Sequence, residues 1–123
     1  MTSIVSTSQS KSIKLFNEIL SILKETEDKN WLDWVVEQIK KLEKVFAIGE
    51  RKDQLAVIQE TRTYLLGGQG SFSDLCLCKE NGHNVKDKDE GKINKRFSSL
   101  TNKLYVELGQ LKFVLENYSE GQN

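Results

Sequence analysis

The firmest constraint on this chain lies in its last quarter. Ile93, Phe97, Leu100, Leu104, Leu108, Leu111, Leu115 and Tyr118 recur at spacings of three and four residues. At about 100° per residue they hold one narrow arc of an α-helix for about seven turns. A stripe this long has to be buried against other elements. The chain contains no proline, so nothing opposes long helices along its length. The pattern predicts a helix over residues 89–118. Val106 and Phe113 sit seven residues apart on its other side, with Gly109 between them and Tyr105 adjacent. That second apolar face is either sandwiched inside a bundle or open to a partner.

Three helical patterns come before it. Ile13, Phe16, Ile19, Leu20 and Leu23, widened by Leu15 and Ile22, mark a helix from Ser10 or Ser12 to about Thr26 that should touch more than one neighbour. Residues 1–9 read as a loose polar tail. A second helix is expected from Trp31 to Ile48, with Asn30 as N-cap, Asp33 in an acidic first turn and Gly49 closing it. Its apolar arc holds Trp31, Leu32, Val35, Ile39, Leu42 and Phe46, while Trp34 falls on a flank with Gln38 and Lys41. One tryptophan is therefore expected in the core and the other at least half exposed. A third helix runs from Arg51 or Lys52 to Leu66, where Gly67-Gly68 stops it. Leu55, Ile58, Arg62 and Leu65 share its inner face. Connections this short predict antiparallel neighbours.

Between the third and fourth patterns lies Gly67 to Cys78, which holds three of the eight glycines and both cysteines. Beyond it, Asn81-Gly82 separates two extended-looking segments, Leu75 to Glu80 and His83 to Lys86, the strongest short hairpin signal a sequence carries. The expected fold is all-α: a four-helix bundle-like domain with a small β-hairpin between helices three and four. Residues 1–123 form a single domain, with 1–9 and 119–123 as flexible tails.

The composition excludes several functions. Eighteen basic and eighteen acidic residues cancel, and a dedicated nucleic-acid binder needs a basic excess to neutralise phosphates. No run of about 18 apolar residues can span a membrane, and Met1 to Ser12 lacks the apolar core of a secretory signal. Cys76 and Cys78 are too close along a strand for an unstrained disulfide, so reduced thiols and a cytoplasmic location are expected.

The glycine stretch does not fit a phosphate-binding loop, which needs a strand before it and a helix after it. Gly67, Gly68 and Gly70 are expected instead to cap helix three and reverse the chain. Ser71 would cap the turn and Asp74 would accept hydrogen bonds from its backbone N–H groups. Cys76, Cys78 and His83 fall one ligand short of a structural zinc site. The cysteines are expected to pack as small apolar residues and His83 to sit exposed in a turn, so no catalytic residue, cofactor or metal is expected. The alternatives are a small enzyme or ligand-binding domain using the glycine loop with Cys76, Cys78 and His83, or a homodimer formed through Tyr105, Val106 and Phe113.

One charge cluster stands out. Residues 24–37 hold Glu25, Glu27, Asp28, Asp33 and Glu37 against only Lys24 and Lys29. With Trp34 on the flank, this acidic corner suits a basic protein partner, because complementary charge steers association and aromatics anchor it. The competing reading is an ordinary solvated helix corner.

The run Gly67-Gly68-x-Gly70-Ser71-Phe72-x-Asp74-Leu75, followed by Asn81-Gly82 and a long Leu-rich helix, resembles a family of small bacterial helical domains. Those domains carry a GG-Met-GS-Phe-Asn-Asp-Leu type motif, and some are encoded near polymorphic toxins. The resemblance covers Tyr64 to Val85, with looser similarity to Leu108. It departs at Gln69, where Met is usual, and at Ser73, where Asn is usual. The family looks like one that includes immunity proteins of contact-dependent growth inhibition systems. The resemblance therefore implies a non-enzymatic protein that binds and neutralises a cognate toxin domain, with a nuclease as the expected target.

Overall fold

The computed structural model describes residues 3–66 and 72–117. Four helices dominate it: α1 (Ile4–Glu25), α2 (Leu32–Ile48), α3 (Arg51–Leu66) and α4 (Glu90–Asn117). Single 3-10 turns at Phe72–Asp74, Lys79–Asn81 and Asp87–Asp89 punctuate the segment between α3 and α4. Each helix packs on the next in sequence, and α4 closes the ring with its most extensive contact, on α1. The all-α class follows directly from the apolar stripes. From α4, Phe97, Leu100, Leu104, Leu108, Leu111 and Leu115 are buried; Phe16, Ile19, Ile22 and Leu23 from α1 meet them. Tyr118 and residues 119–123 lie outside the described residues.

The chain begins its first helix earlier than expected. Ser3 caps α1, its side-chain oxygen accepting the Ser6 N–H at 2.9 Å. Residues 4–9 are thus the opening of α1, somewhat under two turns, and not a tail. Ser8 is buried and its hydroxyl donates to Glu107 Oε2 at 2.5 Å, fastening this end of α1 to α4. Small hydroxyl side chains let α1 approach α4 closely, and a Ser/Thr-rich composition conceals that role.

No β-hairpin forms; among the described residues there is no strand. The reversal itself occurs at Asn81-Gly82. Gly82 has φ +89°, and the N–H groups of Asn81 and His83 both donate to the Cys78 carbonyl at 3.1 and 3.0 Å. Its flanks find other partners than each other. The Leu77 N–H donates to Asn94 Oδ1 at 2.8 Å, and Asn94 Nδ2 donates to the Leu77 carbonyl at 2.9 Å. The Asn84 N–H donates to the Thr26 carbonyl at 2.8 Å. A primary amide offers the same donor–acceptor pair as a neighbouring strand, so one asparagine of α4 takes the place of a ladder.

Both tryptophans are half-buried, contrary to the expected split between core and surface. Trp34 sits 6.0 Å from Phe16, 5.3 Å from Trp31, 5.7 Å from Tyr64 and 5.5 Å from Phe72, measured between ring centroids. The flank it shares with Gln38 and Lys41 is the one facing α3. There Gln38 is buried and donates to Thr61 Oγ1 at 2.8 Å, and Lys41 lies 3.4 Å from Glu60. Helix α2 is buried on a wider arc than its apolar residues trace. On α4, Tyr105 is covered by Arg62, whose guanidinium lies 4.1 Å from the ring centroid. A Cβ on Gly109 would come within 2.9 Å of that guanidinium.

Phe72 is the fully buried member of the aromatic cluster from the segment after α3. It packs edge-on against Trp31 and Phe97 and tilted against Trp34. Phe72→Ala should therefore lower stability in urea by about 3–5 kcal/mol. A loss below about 1 kcal/mol would mean the segment after α3 adds little to the core.

Candidate functional site

The site begins where α1 ends. The Asp28 N–H donates to the Leu23 carbonyl at 2.9 Å and the Glu27 N–H to the Lys24 carbonyl at 3.2 Å. These two bonds define a Schellman closure, which needs a left-handed residue at the position of Glu27. Glu27 has φ +55°, the one positive value carried by a non-glycine residue among those described. Glycine is the usual occupant, because a side chain there costs about 1–2 kcal/mol.

The next residue leaves the surface. Asp28 is 2% exposed. Trp31, not Asn30, stands at the N-cap of α2, and Asp28 Oδ2 accepts its N–H at 2.6 Å and that of Leu32 at 3.0 Å. A carboxylate at this helix end also meets the positive pole of the helix dipole. Its Oδ1 lies 2.8 Å from His83 Nε2, with both side chains essentially solvent-free. The Cys78 N–H reaches His83 Nδ1 at 3.2 Å, with the Cys78 carbonyl oxygen at the same distance. A carboxylate oxygen accepts, so the Nε2–H donates to Asp28, while Nδ1 faces the Cys78 backbone. His83 is therefore a buried tie between two loops, not the exposed turn residue expected. Both of its ring nitrogens are occupied, which leaves none to exchange a proton with a substrate.

This tie shapes the acidic corner. Glu25, Glu27, Asp33 and Glu37 are exposed, whereas Asp28 is withdrawn into the structure as its anchor. Glu37 lies 3.8 Å from Lys40. Trp34 presents only part of its ring, since the aromatic cluster holds the rest. Of the predicted partner-binding residues, then, four display carboxylates, Trp34 supplies a half-buried edge and Asp28 holds the turn in shape.

The remaining candidates divide. Gly67, Gly68, Gly70 and Ser71 lie outside the described residues, while Asp74 ends the 3-10 turn Phe72–Asp74. Cys76 is exposed and Cys78 half-buried, so neither is packed under a helix as expected; Leu77 between them points inward. The Cys76 thiol is held above its ordinary pKa, first by its hydrogen bond with the Cys78 side chain. Partial desolvation adds to this, as do the charges of Cys78, Glu90 and Glu80. A raised pKa keeps the thiol protonated at neutral pH and makes it a weak nucleophile. His83 meets Cys78 through its backbone, and among the described residues no group of three or more His, Cys, Asp or Glu side chains is placed to hold a metal.

Sequence reasoning missed the partnership of Asp28 with His83. They stand 55 residues apart, and neither periodicity nor motif links an acid after a helix to a histidine after a turn. The one available signal was the placement of both beside chain reversals. No protein-family model, curated protein or solved structure matches the chain.

Removing one member of a buried pair leaves the other uncompensated. His83→Ala is expected to cost about 3–5 kcal/mol in denaturant unfolding. The double change with Asp28→Asn should cost clearly less than the two single changes summed, and strict additivity would show that the pair is not coupled. At Cys76, alkylation by iodoacetamide should inflect at a higher pH than in an unstructured cysteine peptide. An inflection at lower pH would identify an activated thiolate.

Proposed function

We propose that this chain is a non-enzymatic immunity protein that binds a cognate bacterial toxin domain in the cytoplasm and blocks it by occlusion. The observation that carries the reading is Glu27. An exposed glutamate occupies a left-handed position where glycine would be more stable, on a turn made rigid by the buried Asp28–His83 tie. Residues kept in unfavourable backbone conformations concentrate at functional sites, where the side chain repays the strain. Here the side chain adds a fourth exposed carboxylate to Glu25, Asp33 and Glu37.

The chemistry of that corner suits a nuclease. An enzyme that holds a phosphate backbone presents cationic side chains to it, and fixed carboxylates compete for the same groups. Complementary charge also speeds encounter, which matters for an inhibitor that must intercept its target. The rigidity of the turn limits the ordering cost of binding. The resemblance of the Gly67 to Leu75 run to domains encoded beside toxins points the same way.

Glu27→Gly separates the roles of fold and function. It should raise stability by about 1 kcal/mol, since the strain at φ +55° is relieved. At the same time it should weaken binding to the toxin domain encoded beside the gene, measured by isothermal titration calorimetry. Combining it with Glu25→Lys and Asp33→Lys should reduce affinity by about tenfold or more. Absence of any complex with the unaltered protein at micromolar concentration would sink the reading.

A further inference from the structure

The zero net charge conceals a second, opposite surface. Viewed down α4, the arc turned away from the core carries Lys92, Lys95, Arg96 and Lys103, then Val106 and Phe113, over about six turns. All six are exposed, Val106 at 57% and Phe113 at 62%. No carboxylate interrupts this arc. The nearest acidic residues of α4 are occupied elsewhere: Glu107 accepts from Ser8, and Glu116 lies 4.0 Å from Lys112. The open question about the Val106/Phe113 face is thereby answered, since it is not sandwiched in the bundle.

The edge of this arc is concave. Two adjoining hollows of about 240 and 400 Å³ lie between α1 and α4 and share Glu107 and Gln110 as walls. Ile4 and Val114 line one and Leu15 and Val106 the other, while Lys11 and Lys103 supply a cation to each. Ile4 is 67% exposed. The nearest carboxylate on α1 is Glu18, a heptad beyond Lys11.

We infer that the outward face of α4, with the α1–α4 furrow beside it, docks an acidic segment of a partner protein that has an apolar stripe. Lys92, Lys95, Arg96 and Lys103 outnumber the one acid lining the furrow, Glu107, and select for carboxylates. Two bulky apolar side chains one heptad apart, next to a furrow, match the i, i+4, i+7 anchors of an amphipathic helix. A furrow admits individual side chains, whereas a flat lipid headgroup layer cannot fill it. Single-stranded nucleic acid would need several aromatic rings on which successive bases stack. This face has Phe113 alone, about six turns along from Lys92, beside an aliphatic Val106. This surface is separate from the acidic corner and does not depend on the toxin reading.

The test uses the whole protein and a fluorescein-labelled helical peptide of about six turns. The peptide has a leucine stripe flanked by glutamates, and its counterpart carries lysine at every glutamate position. The acidic peptide should bind saturably and weaken with added salt, and the lysine peptide should not bind. Lys95→Glu with Lys103→Glu, and separately Val106→Ser with Phe113→Ser, should each reduce affinity by about tenfold. These positions are exposed, so unchanged circular dichroism is expected and checks the fold. Equal binding of both peptides, or unchanged affinity in either double variant, overturns the inference. So does tighter binding to phosphatidylglycerol vesicles or to a single-stranded DNA oligonucleotide. Concentration-dependent sedimentation abolished by Phe113→Ser would also overturn it and identify a second copy of the chain as the occupant. The titration contains no toxin, so its failure leaves the acidic-corner reading standing, and loss of the toxin complex leaves this one standing.

Discussion

The carboxylate of Asp28 joins three parts of the molecule that no shared helix or sheet holds together. One oxygen accepts the N–H of Leu32, the first residue of α2, and that of Trp31 just before it, and the other receives the Nε2–H of His83. His83 in turn holds the Cys78 backbone, so the turn before α4 is fastened to the turn after α1. A buried carboxylate is tolerable only when its lone pairs are satisfied, and here two backbone donors and one ring donor do so. Among the described residues no buried side-chain nitrogen or oxygen lacks a partner. This tie adds to the Asn94–Leu77 bonds and the Asn84–Thr26 bond in fixing the irregular stretch from Leu75 to Lys86 against the bundle.

The same economy governs the rest of the loop. A segment with unpaired backbone groups would normally need a strand beside it, or water, to satisfy them. Asn94 and the Thr26 carbonyl serve instead, each provided by a helix or its terminus. Gln38 does similar work between α2 and α3, filling a core position with an amide because Thr61 and Glu60 are there to receive it. Three polar side chains, Asp28, Gln38 and Asn94, thus fix geometry that apolar packing alone leaves loose. Hydrophobic contact is non-directional; hydrogen bonds to particular atoms are not.

Much of the fold was legible because burial has a period. The α4 stripe, the start of α3 at Arg51 and the close of α2 at Gly49 all follow from helical geometry and terminal chemistry. The failures also have physical causes. Asn81-Gly82 does reverse the chain, but turn chemistry says nothing about whether the flanks will pair with each other or with a side chain 17 residues away. Trp34 looked peripheral because a helix between two neighbours buries more of its circumference than its apolar residues mark. Asp28 looked like one carboxylate among five, because a role at the start of α2 depends on where the chain turns next. His83 looked exposed, because its partner lies on another loop.

Opposite charges on a neutral chain need not mix. The acidic corner occupies the α1–α2 turn, and the cationic arc runs along α4, so the sum of zero is a difference between two local fields. Each field acts only within about a Debye length, about 8 Å at physiological ionic strength. A partner approaching either surface therefore meets that surface's sign and not the average. Net charge is a poor guide to what a single face will attract. What keeps these two faces distinct is rigidity: Ser8 on Glu107 holds α1 against α4, while Asp28 on His83 holds the corner. Each contact engages a carboxylate. Glu107, half-buried, is tied to Ser8 at the edge of the cationic arc, whereas Asp28 is taken out of the acidic corner and holds the remaining four carboxylates in place.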